Sequence, residues 1–283
     1  MKKNILMEYN NPTHGFFISP RKKLFEGKSK FQKIEVFEDN FYGRILRLDN
    51  QFQTAEFDEF IYHEAITHFA LFSHKNPKKV LIIGGGDGGA LEEVLKHRIV
   101  NSITLVDIDK KVIEVSKKYL TRINKFSFED KKVNVIIKDG LEYLKNTNLN
   151  FDIIILDITD PSTESKKLYT KEFYKLISNK LNKGGIFSLH AESPLDYSNL
   201  SRKIIQNLKK VFKFNLSYST FVPIYGTIIT FVFCSKETNF YGITKEVIEK
   251  RFKERKIKDL RLFTPGIFIS SFVVPPYIKN IIY

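Results

Sequence analysis

Between Val80 and Leu189 the sequence repeats one pattern: a short, continuously apolar run, a loop, and a segment with helical spacing. The runs Val80–Ile83, Ile103–Val106, Val133–Ile137, Phe151–Leu156 and Ile186–Leu189 read as strands buried on both faces. Leu91, Val94 and Leu95 mark a helix after the first run, and Lys110–Leu120, Leu141–Lys145, Lys171–Leu181 and Leu200–Phe212 mark others. Parallel strands need a crossover between them, and a helix is the usual one. The alternation therefore predicts an α/β, Rossmann-like parallel sheet covered by helices on both faces. Two consecutive runs, Ser217–Ser219 and Ile228–Phe233, break it as a pair of strands.

The beginning of the chain has another texture. Phe31–Phe37, Tyr42–Leu48 and Phe52–Phe57 alternate apolar and polar residues, with turn signals at Asn40 and Asp49-Asn50. No helix is expected there. The division predicted is a small N-terminal all-β domain over residues 1–63 and a Rossmann-like domain over 64–283.

In such a sheet, ligands bind outside the carboxyl ends of the strands. Gly84–Gly89 stands there after the first run and satisfies the G-x-G-x-x-G spacing, with Asp107 closing the next run as an acid for ribose hydroxyls. A dinucleotide would rest its pyrophosphate on this loop; an adenosyl sulfonium would rest its cationic tail there. Asp87, in the middle of the loop, repels pyrophosphate and the carboxylate of ordinary S-adenosylmethionine, and attracts an ammonium or sulfonium. Asp139-Gly140 ends the third run, and Asp157-Ile158-Thr159-Asp160-Pro161 the fourth. Asp87, Asp107, Asp139, Asp157 and Asp160 thus gather at one rim of a basic protein. Such a rim suits polycations. One acid should act as a base, because protonated amines are not nucleophiles.

Charge and composition exclude other classes. The formal net charge is +14, but the lysines are scattered and no nucleic-acid motif accompanies them, so a solvated surface is expected and no nucleic-acid partner. The single cysteine, Cys234, lies in an apolar run, excludes an intrachain disulfide and reads as a buried structural thiol. Lys2 and Lys3 are followed by too few apolar residues for a signal peptide. The longest apolar stretch, Phe221–Cys234, is shorter than the roughly 20 residues of a membrane span, which points to a soluble, cytoplasmic protein without membrane contact. His63 and His68 are five apart, about 140° around a helix, which does not suit a shared metal. Glu92 and Glu93 are expected only to favour a helix dipole. His14, His74 and His97 are expected at the surface, and Asp152 and Glu142 in solvent.

The motifs together resemble the polyamine aminopropyltransferases. The similarity runs from Phe31 to Tyr277 and includes Gln53–Glu64, Val80–Gly89, Asp107-Ile108-Asp109, Asp139-Gly140, Asp157–Pro161, Lys171–Tyr174, Lys183-Gly184-Gly185 and Pro223-Ile224-Tyr225-Gly226. The resemblance implies the fold of class I methyltransferases behind an N-terminal β domain, and decarboxylated S-adenosylmethionine as co-substrate without cofactor or metal. It implies Gln32, Gln53 and His63 near the sulfonium and aminopropyl end, Asp87 on the amine, Gly84 and Gly86 in the loop, Asp107 on the ribose, and Asp139 with Gly140 at the adenine. It makes Asp157 the base, helped by Tyr62, and puts Tyr62, Asp160 and Tyr225 on the acceptor side, with His190, at the end of the fifth run, either an acceptor contact or a satisfied buried histidine. It also implies a homodimer or homotetramer, with amine and nucleoside small molecules as the partners. The acceptor side departs from the family pattern. Residues 162–167 lack the usual glycine, His190 replaces a frequent Gln, and Phe263-Thr264 and Phe268 replace a Tyr-Asn and a His. Putrescine is the expected acceptor, with agmatine, cadaverine or spermidine as alternatives. A nicotinamide-dependent dehydrogenase, a non-catalytic polyamine-binding protein and an ordinary methyltransferase are the competing readings.

Overall fold

A computed structural model describes residues 5–159 and 165–282. The chain opens with a hairpin, β1 (Leu6–Asn11) and β2 (His14–Ile18), followed by β3 (Lys22–Lys28), β4 (Lys33–Asp39), β5 (Gly43–Leu48) and β6 (Gln51–Ala55). The hairpin forms a two-stranded sheet, and β3-β4-β5-β6 an antiparallel four-stranded one. The three expected strands correspond to β4, β5 and β6. Strands β1 to β3 were not among the expected ones; charged and aromatic residues share both of their faces.

Helix α1 (Glu59–Ser73) begins before the change of texture expected at Glu64, which corrects the reading of residues 1–63 as free of helix. The helix is apolar almost all round, and Tyr62 to Ser73 are buried. A helix of that kind belongs inside a core and shows little amphipathic signal. Phe69 stacks between Tyr218 and Phe233, with ring centroids 4.7 and 5.0 Å away. Truncating such a residue to alanine costs about 3–5 kcal/mol.

The alternating region then forms β7 (Lys79–Gly84), α2 (Gly89–Leu95), β8 (Ser102–Asp107), α3 (Lys110–Tyr119), α4 (Thr121–Asn124), β9 (Val133–Ile137), α5 (Gly140–Asn146), β10 (Phe151–Asp157), α6 (Lys171–Lys180), β11 (Leu181–His190) and α7 (Ser198–Lys209). The antiparallel pair β12 (Phe214–Val222) and β13 (Thr227–Ser235) follows, then α8 (Lys245–Arg255), α9 (Pro265–Ser270) and α10 (Pro276–Ile282). Among the described residues the large sheet has the order β12-β13-β11-β10-β7-β8-β9. Strands β9, β8, β7, β10 and β11 run parallel, and β13 pairs antiparallel with β11. The chain starts at β7, builds outward to β9, and returns to β7's other side with β10. That reversal leaves a crevice beyond the carboxyl ends of β7 and β10. Cys234 is buried, and no described helix is long and apolar enough to cross a membrane.

Candidate active site

The crevice holds a cavity of about 350 Å³ lined by the glycine loop and by the ends of β7, β8 and β10. The loop is folded hard against β10. Gly85 N–H donates to the Asp157 carbonyl at 2.7 Å. Gly84 has φ +84°, and a Cβ there would lie 1.9 Å from the same carbonyl oxygen, so only glycine fits. At the other end of the loop, a Cβ on Gly89 would meet His63 Cε1 at 2.1 Å. The loop therefore seats α2 directly on the imidazole of α1.

That imidazole is held from both sides. Nδ1 donates to Glu59 at 2.8 Å and Nε2 faces Asp87 Oδ2 at 3.3 Å. Burial opposes charge on His63, but Asp87 and Glu59 outweigh it and hold the pKa well above the ordinary histidine value. Burial likewise opposes ionisation of Asp87, and His63 outweighs it, so its pKa is lowered. Asp157 has a different environment. Burial and the Asp87 charge push its pKa up to about 7, against opposing pulls from His63 and the Tyr62 hydroxyl. Its Oδ2 is buried with no hydrogen-bond partner. Burial and the Asp157 charge in turn push the Tyr62 phenol well above its ordinary value, so Tyr62 stays protonated. His63, Asp87 and Asp157 bring ligand atoms within 4.8 Å of one another, a geometry able to hold a cation. Glu59 and Asp87 outnumber the charge on His63, so the pocket is negative even before Asp157 ionises.

Asp107 and Asp139 stand at the far side. Asp107 accepts Asp109 N–H at 2.7 Å, and burial raises its pKa to about 6. Gln32 reaches this side: its Nε2 donates to Asp109 Oδ2 at 3.0 Å, where Ser29 also donates at 2.6 Å. Gln32 thus lines the cavity next to Asp107. Asp139 caps α5 through Leu141 N–H and Glu142 N–H, and its Oδ2 takes Lys167 Nζ at 2.6 Å. Burial opposes charge on Asp139, but Lys167 and the amides lower its pKa. Gly140 lines the same cavity.

A second, narrower cavity of about 60 Å³ joins the first at Tyr62, Gln53, Ile158, Thr159 and Tyr225, which line both. Tyr225 OH donates to Gln53 O at 2.6 Å, Ile224 N–H donates to Asp58 Oδ2 at 2.6 Å, and Asn10 Nδ2 donates to Tyr225 O at 3.1 Å. His190 Nε2 lies 3.0 Å from both Ile158 O and Tyr169 OH. A carbonyl only accepts, so Nε2 carries a proton. The other nitrogen faces Glu192 at 3.7 Å. Asp160 and residues 161–164 lie outside the described residues, so the expectation for Asp160 stands where the sequence left it.

Comparison with known proteins decides what kind of site this is. The sequence matches the spermine/spermidine synthase domain over residues 59–242, and the spermidine synthase tetramerisation domain over residues 6–56. The chain belongs to the spermidine synthase family. It is 40% identical over 281 residues to a polyamine aminopropyltransferase of Methanocaldococcus jannaschii, covering 96% of this chain and 93% of that one. It is 39% identical over 279 residues to a spermidine synthase of Schizosaccharomyces pombe, covering 97% and 92%. Among solved structures, a spermidine synthase in complex with the transition-state analogue AdoDATO matches with a TM-score of 0.91 at 34% identity, over 100% of this chain and 96% of that one. The spermidine synthase from Thermotoga maritima matches with a TM-score of 0.90 at 34% identity, over 100% and 95%. The chain is an aminopropyltransferase.

Several sequence expectations for this aminopropyltransferase need correcting. His97 is fully buried, not at the surface, and Glu93 is 2% exposed, so it does more than favour a helix dipole. Glu93 accepts from His68 at 2.8 Å and from Lys96 at 2.6 Å, while His68 Nδ1 lies 2.9 Å from His97 Nε2. Arg255 Nη1 comes within 3.4 Å of His97 Nδ1 and donates to Leu71 O at 2.7 Å. This polar chain fastens α2 to α1 and α8. Asp152 is half-buried and accepts from Lys78 N–H and Lys79 N–H, not left in solvent. Glu8 and Glu192 belong to no motif read in the sequence, and Glu59 and Gly89 lie inside quoted motifs without a role of their own there. The one available signal for Glu192 was its place two residues beyond His190.

Proposed function

We propose that this aminopropyltransferase moves the aminopropyl group of decarboxylated S-adenosylmethionine to putrescine, giving spermidine and 5′-methylthioadenosine. The carrying observation is the junction of the two cavities at Tyr62, with a negative pocket on one side and Glu8 and Glu192 bordering the other. In this reading Asp107 holds the ribose, Asp139 and Gly140 border the adenine, and Asp87 with His63 takes the aminopropyl ammonium. Gly84 and Gly86 let the nucleoside approach the loop backbone, and Gln32 and Gln53 close the sides. Tyr62, Tyr225, Asp160 and His190 frame the acceptor. The narrow second cavity and its carboxylates suit a short linear diamine better than a branched or longer amine.

Asp157 takes a proton from the attacking ammonium, and a pKa near 7 suits a base that must bind and release protons at neutral pH. The freed nitrogen lone pair attacks the methylene carbon next to sulfur. A C–N bond forms, the C–S bond breaks, its electron pair returns to sulfur, and neutral methylthioadenosine leaves. The sulfonium is already a good leaving group, so positioning and deprotonation suffice without metal or redox cofactor. The same reading makes the protein a cytoplasmic homodimer or homotetramer, the latter supported by the tetramerisation domain it matches.

The test is methylthioadenosine release from decarboxylated S-adenosylmethionine with a panel of amines, in the presence and absence of EDTA. Fast release with putrescine, unaffected by EDTA, is expected. Release only with agmatine, cadaverine or spermidine moves the acceptor, and release with none refutes the reading.

A further inference from the structure

The large cavity is bordered at its outer end by an ion pair that no step of the transfer uses. The two oxygens of Asp139 are engaged differently. Oδ1 caps α5 by accepting Leu141 N–H at 2.9 Å and Glu142 N–H at 3.1 Å. Oδ2 accepts from Lys167 Nζ at 2.6 Å. Lys167 lies in the short turn that leads into α6, and both side chains line the cavity. The order of the strands says which part of a ligand meets this pair. His63, Asp87 and Asp157 form the negative pocket at the ends of β7 and β10. Asp107 ends β8, the next strand outward, and Asp139 follows β9, at the edge of the sheet. Neighbouring strands are about 4.8 Å apart. A nucleoside with its cationic 5′ substituent in the pocket and its ribose on Asp107 therefore sets its base beside Asp139 and Lys167.

We propose that Lys167 sets the nucleobase specificity of this end of the cleft: paired with Asp139, it lets the site take 6-oxopurine nucleosides as well as adenine nucleosides. A carboxylate only accepts hydrogen bonds and an ammonium only donates them. Side by side, they complement a base edge that offers one donor next to one acceptor. Adenine has such an edge, with a donating 6-amino group beside an accepting N1. A 6-oxopurine has it in the reverse order, with an accepting O6 beside a donating N1–H. Asp139 takes the 6-amino group of the first while Lys167 donates to N1. For the second, Asp139 takes N1–H while Lys167 donates to O6. The two arrangements differ by the spacing of adjacent positions on the base, a shift that the flexible four-carbon stem of a lysine accommodates. Without Lys167, O6 would face a carboxylate, two acceptors with no proton between them, whereas the 6-amino group would keep its partner.

The inference rests on the placement of the nucleoside in the proposed transfer, and its test separates the two. The unaltered chain, Lys167→Met and Lys167→Arg are titrated by calorimetry with 5′-methylthioadenosine and with 5′-methylthioinosine, its 6-oxo counterpart. For the unaltered chain the two affinities should lie within about 10-fold of each other. Lys167→Met should lose about 10-fold or more in methylthioinosine affinity, as for one hydrogen bond from a charged group, and about 3-fold or less in methylthioadenosine affinity. Lys167→Arg still donates and should keep the ratio of the unaltered chain. The ratio is read on one protein sample, so a general loss of folded protein leaves it unmoved. An unchanged ratio in Lys167→Met overturns the role of Lys167. An unaltered chain that binds methylthioadenosine but no methylthioinosine overturns the dual recognition. If neither nucleoside binds, the placement of the nucleoside fails and takes this inference with it; if methylthioadenosine binds and the ratio does not move, this inference alone fails.

Discussion

The two halves of the cleft are built in different ways. The half assigned to the donor in the proposed reading is made of local structure: Asp87 accepts Gly89 N–H, Asp107 accepts Asp109 N–H and Asp139 accepts Leu141 N–H, each only two residues on. Each acid sits where a strand ends and a helix begins, and the loop orients it. The half assigned to the acceptor is a meeting of distant segments. Tyr225 reaches Gln53 across 172 residues, Asp58 reaches Ile224 across 166, and Asn10 reaches Tyr225 across 215. A site of the first kind is specified by motifs; a site of the second kind is specified by the whole fold.

Four measurements would break or sharpen that contrast. The largest effect belongs to the junction itself. Asp157→Asn should cut turnover about 10²- to 10⁴-fold, the range of a lost general base, and leave methylthioadenosine affinity nearly unchanged in calorimetry. Turnover within a few-fold of the parent would remove Asp157 from that role. Next comes Gly89→Ala, whose methyl meets the His63 ring. Overpacking of about 1–3 kcal/mol should weaken donor-side affinity by about 10- to 100-fold. An equal rise in acceptor KM would show that the halves are not separable. Third, Glu192→Gln removes a charge bordering the narrow cavity and should raise acceptor KM about 10-fold while donor binding holds. The smallest effect is a displacement in pH. Asp157 acts when ionised and its pKa is near 7, so log kcat/KM should fall as pH drops through about 7. After burial, the Asp87 charge is the main cause raising that pKa. Asp87→Asn should therefore shift the acid limb to lower pH, by about a unit or less. A shift in the opposite direction would assign the limb to another group.

The same contrast explains what could be read from sequence. Strand runs β7 to β11 and the acids at their ends were visible because apolar runs and loop residues encode them locally. Helix α1 was not, because burial on every side erases the amphipathic period. The surface expectation for His97 and the dipole role for Glu93 fail for a related reason: a polar residue on or just beyond a short helix looks solvated until His68 and Arg255, far away in the chain, are known to face this pair. Gly89 belonged to a visible motif, but its need for glycine comes from His63 on another element. Glu8 and Glu192 line the acceptor side without any motif of their own.

The fastening of the first strand has a consequence for how the molecule is made. Residues 6–11 leave the ribosome early, yet two of their anchors, Asp196 and Tyr225, come in the last third of the chain. The loops that carry Asp87, Asp107, Asp139 and Asp157 are complete once Asp157 has emerged. Contacts across so long a stretch form late, because closing the loop between them costs entropy before anything is gained. By that cost, the contacts of the first strand with Asp196 and Tyr225 are expected to close after the loops at the ends of β7 to β10.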